Sequence, residues 1–185
     1  MHTVAQIELL AIWVLWAWPY VFRAPKVQKR KSITVTLPSR VGVLLHAVAL
    51  MAVWAFGVPG GVRVSIPALL AALILGGIAD VLMWSAIPNL GRQFRIQAGL
   101  YEDHELVHSG PYAVVRHPIY ASLLALTLAT GVLLSPWQWV TVGALLCIAG
   151  SEIRIHIEDR LLESRFGEQF RRYRGKVPAY LPFIR

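Results

Sequence analysis

The chain has 185 residues, a length that allows one domain or a small pair. Hydrophobic residues make up 56% of it and charged residues 15%, against about half and about a quarter in typical soluble domains. With a mean hydropathy of +0.55, this composition excludes an ordinary soluble domain and favours a multi-span membrane protein. The formal net charge is +8, which suits either nucleic acid or anionic lipid as a partner. The single cysteine, Cys147, excludes an intrachain disulfide and is interpreted as a small core residue.

Five segments are long and apolar enough to cross a bilayer core about 30 Å thick, which takes about 20 residues of helix. They are residues 4–22, 41–58, 67–88, 118–134 and 137–155. The last two are separated by only Ser135 and Pro136, a turn so tight that they must form a helical hairpin. The sequence therefore predicts an all-α integral membrane protein with five transmembrane helices.

The Lys and Arg residues fall almost entirely on one side of these spans. Of the 18 in the chain, only Arg63, between the second and third spans, lies on the other side. The positive-inside rule then places the N-terminus outside and the C-terminus in the cytoplasm, as an odd number of spans requires. We expect a multi-pass protein of the cell inner membrane, in contact with membrane lipids and without a nucleic-acid partner.

The connection between the third and fourth spans, residues 89–117, is polar but contains many apolar side chains. Loops of this length are uncommon unless they are functional or disordered, and the apolar content argues against disorder. Arg116 and His117 directly precede Pro118, which suits the first position of a helix. The N-terminus of a helix beside an Arg favours a carboxylate or phosphate. The alternative is that Arg116 and His117 are interface residues that reach towards water.

The fifth span is predicted to continue beyond the membrane. Residues 137–166 contain no helix breaker apart from two glycines, and Gly167 is a natural C-terminal cap. At 1.5 Å per residue this helix would be roughly 45 Å long, more than the bilayer core. Arg154 and Glu158 are four residues apart and share one face of this helix. Because of the hairpin, we expect this face to lie near the start of the fourth span. The alternative is that the two residues form only an ion pair on the helix surface. The tail after it, residues 168–176, is expected to lie on anionic headgroups.

Two ionisable residues lie within predicted spans, where such residues are functional candidates. His46 in the second span and Asp80 in the third are both nearer the predicted cytoplasmic ends. We therefore expect them to meet, and we favour a His–Asp pair that stabilises the bundle over a functional role.

Blocks of residues in the second half of the chain resemble the isoprenylcysteine carboxyl methyltransferase family in its short prokaryotic form. The blocks are His104-x-Leu106-Val107-x-Ser109-Gly110-Pro111-Tyr112, Arg116-His117-Pro118-x-Tyr120, Arg154-x-x-x-Glu158-Asp159-x-x-Leu162, Phe166-Gly167-Glu168-x-Phe170-x-x-Tyr173, and Val177-Pro178 followed by Leu181-Pro182-Phe183-Ile184. They cover about residues 90–185, whereas the first three spans match the family only in kind. Accordingly, we divide the chain into a three-span region, 1–88, and a methyltransferase region, 89–185, which comprises the cytoplasmic loop, the hairpin and the helical tail.

This resemblance implies that S-adenosylmethionine binds at the cytoplasmic face and that a lipophilic acceptor is methylated, most simply on a carboxylate such as that of a prenylcysteine. Arg154 and Glu158 would act at the reaction centre as catalytic residues. The residues implied in cofactor binding are His104, Leu106, Val107, Gly110, Tyr112, Arg116, His117, Pro118, Tyr120 and Glu158. Two positions depart from the family pattern: His108 stands where Thr is frequent, and Asp159 where a second Glu is common.

Methyl transfer from a sulfonium depends on alignment and desolvation, so no metal site is expected. A carboxylate acceptor is already ionised and an Arg can orient it. A thiol or amine acceptor would need Glu158 or a His as a base. The open alternatives are a phospholipid-amine or small-thiol methyltransferase, an NADPH-dependent membrane reductase and a non-enzymatic membrane scaffold. The oligomeric state stays open.

Overall fold

In the computed structural model, the described residues form six α-helices and two short strands. The structure describes residues 1–24, 32–34, 37–55, 64–95, 99–101 and 103–181. The helices are α1 (His2–Phe22), α2 (Leu37–Ala55), α3 (Ile66–Leu90), α4 (Pro118–Leu134), α5 (Trp137–Phe166) and α6 (Glu168–Arg174), with 3₁₀ turns at Gly91–Gln93 and Gly110–Ala113. The strands are β1 (Ser32–Thr34) and β2 (Gly99–Tyr101).

Within the described residues, four helices are long and apolar enough to cross a membrane, namely α1, α2, α3 together with the turn that follows it, and α5. Helix α4 is apolar but has only 17 residues, about 25 Å at 1.5 Å per residue. The prediction of a helical multi-pass membrane protein is therefore confirmed, while the count of five spans stays a prediction. The second helix begins at Leu37 and so precedes the predicted start at residue 41; the predicted stretch 56–58 lies outside the described residues.

The all-α fold class is confirmed, and the structure adds one pair of short strands that the sequence did not predict. β1 and β2 pair antiparallel, with Ser32 opposite Tyr101 and Thr34 opposite Gly99. Both strands belong to connections between helices, where backbone N–H and C=O groups have no helical partners and are satisfied by pairing with each other. The pairing ties the connection after α1 to the connection before α4.

Helix α4 is the centre of the bundle, with buried side chains around its whole circumference. Trp13 of α1 donates from Nε1 to Thr130 Oγ1 at 3.1 Å, and Trp16 donates in the same way to Ser122 Oγ at 2.7 Å. These bonds satisfy polar groups that face one another inside an apolar bundle. By contrast, large apolar side chains of α1, α2 and α3 are exposed on the outside, as expected for helices that face lipid.

The hairpin positions the functional face of α5. Only Ser135 and Pro136 separate α4 from α5, at the predicted turn. Helix α5 runs for 30 residues and ends before Gly167, whose φ of 53° is readily adopted by glycine. The end of α5 that bears Arg154 therefore returns to the level at which α4 begins.

Candidate active site

A cavity of about 290 Å³ lies where α1, α2, α4 and α5 meet the connection that precedes α4. Ten of the predicted site residues line it: His104, Leu106, Val107, Tyr112, Arg116, His117, Pro118, Tyr120, Arg154 and Glu158. Gly110 is not among the lining residues. Its φ is 58°, and a side chain there would come within 2.6 Å of Asn89 Oδ1, so a turn packed against the end of α3 requires a glycine at this position.

Arg116 and His117 meet an acidic pair on α5. Arg116 donates from Nη2 to Asp159 Oδ2 at 2.8 Å, and His117 donates from Nε2 to Asp159 Oδ1 at 2.9 Å. On the other side of the same imidazole, Nδ1 lies 3.5 Å from Glu158 Oε2. Asp159, which departs from the family pattern, therefore joins the start of α4 to α5.

Tyr120, Arg154 and Glu158 form the second half of this cluster. Arg154 donates from Nε to the Tyr120 hydroxyl at 2.6 Å, and that hydroxyl donates to Glu158 Oε1 at 2.5 Å. Arg154 Nη2 also reaches Glu158 Oε1 at 3.3 Å. Because Arg154 is buried and bonds across to α4, the arrangement is more than the surface ion pair that the sequence left open.

The C-terminal tail covers the start of α4. The backbone N–H groups of Arg116 and His117 donate to the carbonyls of Pro178 and Ala179 at 2.8 and 2.7 Å. Arg116 Nη1 donates to the carbonyl of Val177 at 2.5 Å. The two N–H groups just ahead of the helix are thus occupied by the tail.

The surroundings of two histidines shift their pKa in opposite directions. Burial alone would lower the pKa of His117, but its hydrogen bonds to Asp159 and Glu158 outweigh burial and raise it above the usual 6.5. For His104, burial and the nearby Arg95 lower the pKa to about 4. The site therefore favours the protonated form of the imidazole beside α5, whereas the imidazole in the connection is neutral at neutral pH.

The membrane-facing wall consists mainly of residues that the motifs did not reveal. Trp16 and Tyr20 of α1, Val43 and His46 of α2, and Leu123 of α4 line the cavity. They precede the recognisable blocks or lie inside an apolar helix, and only His46 is distinguished in the sequence, by its ionisable ring.

The expected contact between His46 and Asp80 is replaced by other contacts. His46 Nε2 lies 3.0 Å from Ser151 Oγ of α5, and the His46 ring stacks on Tyr120 with centroids 5.8 Å apart. The physical reason is the close approach of α2 to α5, which directs His46 towards the cavity. Among the described residues, no hydrogen-bond partner is found for Asp80 Oδ1.

Three buried polar atoms of lining residues have no hydrogen-bond partner among the described residues. They are Gln93 Oε1, His104 Nδ1 and Arg116 Nε. Buried polar groups are normally satisfied, so these atoms fit a polar ligand in the cavity. The described part of the chain contains no group of three or more His, Cys, Asp or Glu side chains that could hold a metal ion.

Most of this site lies within a segment that also identifies the family. Residues 70–164, about half of the chain, match the sequence profile of the isoprenylcysteine carboxyl methyltransferase family. The chain belongs to this family. The predicted family is thereby confirmed, and the matched segment includes α4 and nearly all of α5 but neither α1 nor α2.

Two relatives in the family are named protein-S-isoprenylcysteine O-methyltransferases. The B form from Arabidopsis thaliana is 33% identical over 118 residues, which cover 62% of this chain and 58% of that protein. The Schizosaccharomyces pombe protein is 33% identical over 109 residues, covering 58% and 46%. The chain thus spans about half the length of these relatives.

A solved structure extends the likeness to the whole fold. The eukaryotic intramembrane Ras methyltransferase has 22% sequence identity and a TM-score of 0.52, and the match covers 97% of this chain and 52% of that one. The bundle, including the helices before the matched family segment, is therefore of the same kind.

Proposed function

We propose that the chain is an S-adenosylmethionine-dependent methyltransferase that acts at the cytoplasmic membrane face on the carboxylate of a lipophilic, prenylcysteine-like acceptor. The cluster of Arg154, Tyr120 and Glu158 carries the proposal. It lies in a cavity whose polar side comes from the connection before α4 and whose apolar side comes from membrane helices. Such a cavity accommodates a polar cofactor and a greasy acceptor side by side.

The cofactor would be held mainly by the connection and the start of α4. Gln93, His104 and Arg116 offer buried polar atoms that have no hydrogen-bond partner in the described part of the chain. Leu106, Val107, Tyr112 and Pro118 supply apolar contacts to the cavity, and the rings of His117 and Tyr120 complete its wall. Gly110 would contribute only by allowing the turn that positions Tyr112.

S-adenosylmethionine, when bound, supplies an electrophilic methyl group. The chain's own residues align the acceptor, exclude water and fix its charge. Arg154 is the residue that would orient an acceptor carboxylate, because a guanidinium matches that group geometrically. Tyr120 and Glu158 hold Arg154 in place through the bonds at 2.6 and 3.3 Å.

The environment of Glu158 favours a carboxylate acceptor over a thiol or an amine. Its Oε1 accepts from Tyr120 and Arg154, and its Oε2 lies 3.5 Å from His117 Nδ1. A carboxylate surrounded by donors is a weak base. A thiol or amine would need such a base, whereas a carboxylate acceptor does not.

The remaining finer expectations belong to this proposal. We infer five spans, with α4 as the fifth because it is apolar and central to the bundle. The N-terminus would lie outside and the C-terminus in the cytoplasm, as the distribution of Lys and Arg favours. Region 89–185 would bind the cofactor, while region 1–88 would supply most of the wall for the acceptor's apolar chain.

Calorimetric titration of the purified protein with S-adenosylhomocysteine and with NADPH tests the proposal. We expect S-adenosylhomocysteine to bind and NADPH not to bind. His117→Ala and Glu158→Ala should each abolish binding, whereas Lys176→Ala, at an exposed position of the tail, should leave it unchanged. Binding of NADPH alone would favour a reductase, and binding of neither would contradict any methyltransferase.

A further inference from the structure

Helices α2 and α5 touch through glycines at the level of the reaction centre. A methyl group added to Gly42 would lie 2.5 Å from Arg154 Cγ and 2.9 Å from the carbonyl oxygen of Gly150. A methyl group added to Gly150 would lie 2.8 Å from the carbonyl oxygen of Gly42. All three distances are below normal van der Waals contact. The absence of side chains at these two positions therefore allows the backbones to meet and the stem of Arg154 to pack against α2.

One turn further along α2, His46 contacts Tyr120, the hydrogen-bond partner of Arg154. Its ring stacks on Tyr120 with centroids 5.8 Å apart, and His117 stacks on Tyr120 at 5.7 Å. Its Nε2 lies 3.0 Å from Ser151 Oγ, which ties the imidazole to α5. His46 is buried, so it fixes where the Tyr120 ring lies in relation to α5.

We propose that α2 positions two residues of the reaction centre. The absence of a side chain at Gly42 allows Arg154 to pack against α2, and His46 holds the ring of Tyr120 in place by stacking. Helix α2 precedes the segment matched to the family, residues 70–164. The inference rests on the proposed function, because it concerns how the residue that orients the acceptor is held. Gly42 and His46 act through Arg154 and Tyr120 and are positioning residues.

A small displacement at this point has a large effect on catalysis. The 2.6 Å bond between Arg154 Nε and the Tyr120 hydroxyl joins the two side chains that α2 holds. A shift of a reacting group by about 1 Å can cost about 100-fold in rate. Moving the stem of Arg154 away from Gly42 therefore lowers the rate of transfer, while the cofactor-binding connection before α4 is not moved.

Three glycine-to-alanine variants separate positioning from packing. Gly42→Ala disturbs the interface beside Arg154. Gly143→Ala disturbs the same α2–α5 interface, because its methyl would lie 2.7 Å from Val53 Cγ1 and 3.2 Å from the carbonyl of Ala49, but it is roughly 16 Å along α5 from Arg154. Gly77→Ala on α3 meets no atom within 4 Å and is the unperturbed control.

Each variant is measured for melting temperature, S-adenosylhomocysteine affinity, and kcat and KM of methyl transfer to a prenylcysteine. We expect Gly42→Ala and Gly143→Ala to lower the melting temperature alike. Only Gly42→Ala should lose at least about tenfold in kcat, with cofactor affinity within about twofold of wild type. Equal kcat for these two variants, or a loss of cofactor affinity that parallels the loss of kcat, would overturn the inference.

Variants of His46 keep the test decisive if Gly42→Ala does not fold. His46→Ala should lower kcat by a larger factor than it weakens S-adenosylhomocysteine binding, and His46→Gln, whose amide can bond to Ser151, should recover part of kcat. Equal activity of His46→Ala and wild type would overturn the role of His46. A wild-type protein that transfers no methyl group and binds no S-adenosylhomocysteine would overturn the proposed function, and this inference with it.

Discussion

At the scale of single residues, the neighbouring carboxylates of Glu158 and Asp159 bind different partners. Glu158 faces Tyr120 and Arg154, while Asp159 faces Arg116 and His117. Adjacent helix positions point about 100° apart, so one short segment of α5 serves both the reaction centre and the start of α4. The shorter Asp at position 159 makes both of its bonds within 2.9 Å, which explains why the departure from the usual Glu is tolerated.

Asp159→Asn should destabilise the fold. The substitution keeps the shape of the side chain but leaves the buried guanidinium of Arg116 without a counter-charge, and breaking a buried ion pair costs roughly 3–5 kcal/mol. Thermal melts in detergent measure the effect, with Glu152→Gln on the exposed side of the same helix as the control. If Asp159→Asn melts together with this control, the pair is not structural.

The raised pKa of His117 predicts how the stability of the fold depends on pH. Its pKa in the folded protein lies above the usual 6.5, so the protonated form stabilises the fold. This contribution is complete below pH 6.5 and is lost as the pH rises through the folded pKa. The melting temperature of wild type should therefore fall towards alkaline pH more than that of His117→Gln, and parallel curves for the two proteins would refute the assignment.

At the scale of elements, the apolar stretches and the Gly and Pro residues at their ends predicted the long helices. They did not predict the contacts between distant segments. Helix α5 runs from residue 137 to 166 as predicted, because a long uninterrupted stretch and Gly167 define it locally. The pairing of β1 with β2 and the contact of His46 with Ser151 depend on tertiary packing. No local pattern in the chain encodes such contacts.

The same distinction holds for the site. Site residues in the sequence blocks could be predicted, and ten of the eleven predicted ones line the cavity. Trp16, Tyr20 and Val43 could not be identified, since in the sequence they resemble any other residues of an apolar helix. Gly110 was associated with the cofactor, but its positive φ and its contact with Asn89 give it a role in the turn.

The tail is an element whose contribution can be measured by removing it. Truncation after Lys176 takes away the carbonyls of Val177, Pro178 and Ala179 that bind Arg116 and His117. We expect at least about a tenfold loss of S-adenosylhomocysteine affinity, equivalent to about 1.4 kcal/mol. Full-length Lys176→Ala is the control, and calorimetry is the measurement. An unchanged affinity would show that the tail only covers the site.

At the scale of the whole molecule, the site is assembled at one end of a membrane bundle from two parts of the chain. The polar side comes from the connection before α4 and from the hairpin, and the apolar side from α1 and α2. This division suits the polar cofactor and the membrane-dissolved acceptor of the proposed function. That proposal also places the basic end of the bundle in the cytoplasm.

Labelling of single cysteines tests this orientation. In a Cys147→Ala background, Arg63→Cys should react in intact cells with a maleimide that does not cross membranes. Lys176→Cys should react only after permeabilisation, because 17 of the 18 Lys and Arg residues are predicted to lie on its side. The opposite pattern would invert the topology, and labelling of both positions in intact cells would contradict an odd number of spans.

The central claim is transfer of a methyl group to a carboxylate, and the most direct measurement is the fate of a tritiated methyl group. Purified protein is incubated with labelled S-adenosylmethionine and a farnesylated cysteine, and the product is treated with base. Arg154→Gln, which removes the charge that orients the carboxylate, serves as the matched variant. We predict wild-type counts that base releases as volatile methanol, the signature of a methyl ester, and a large loss of these counts in the variant. Incorporation that resists base, or no incorporation with this acceptor, would contradict the account.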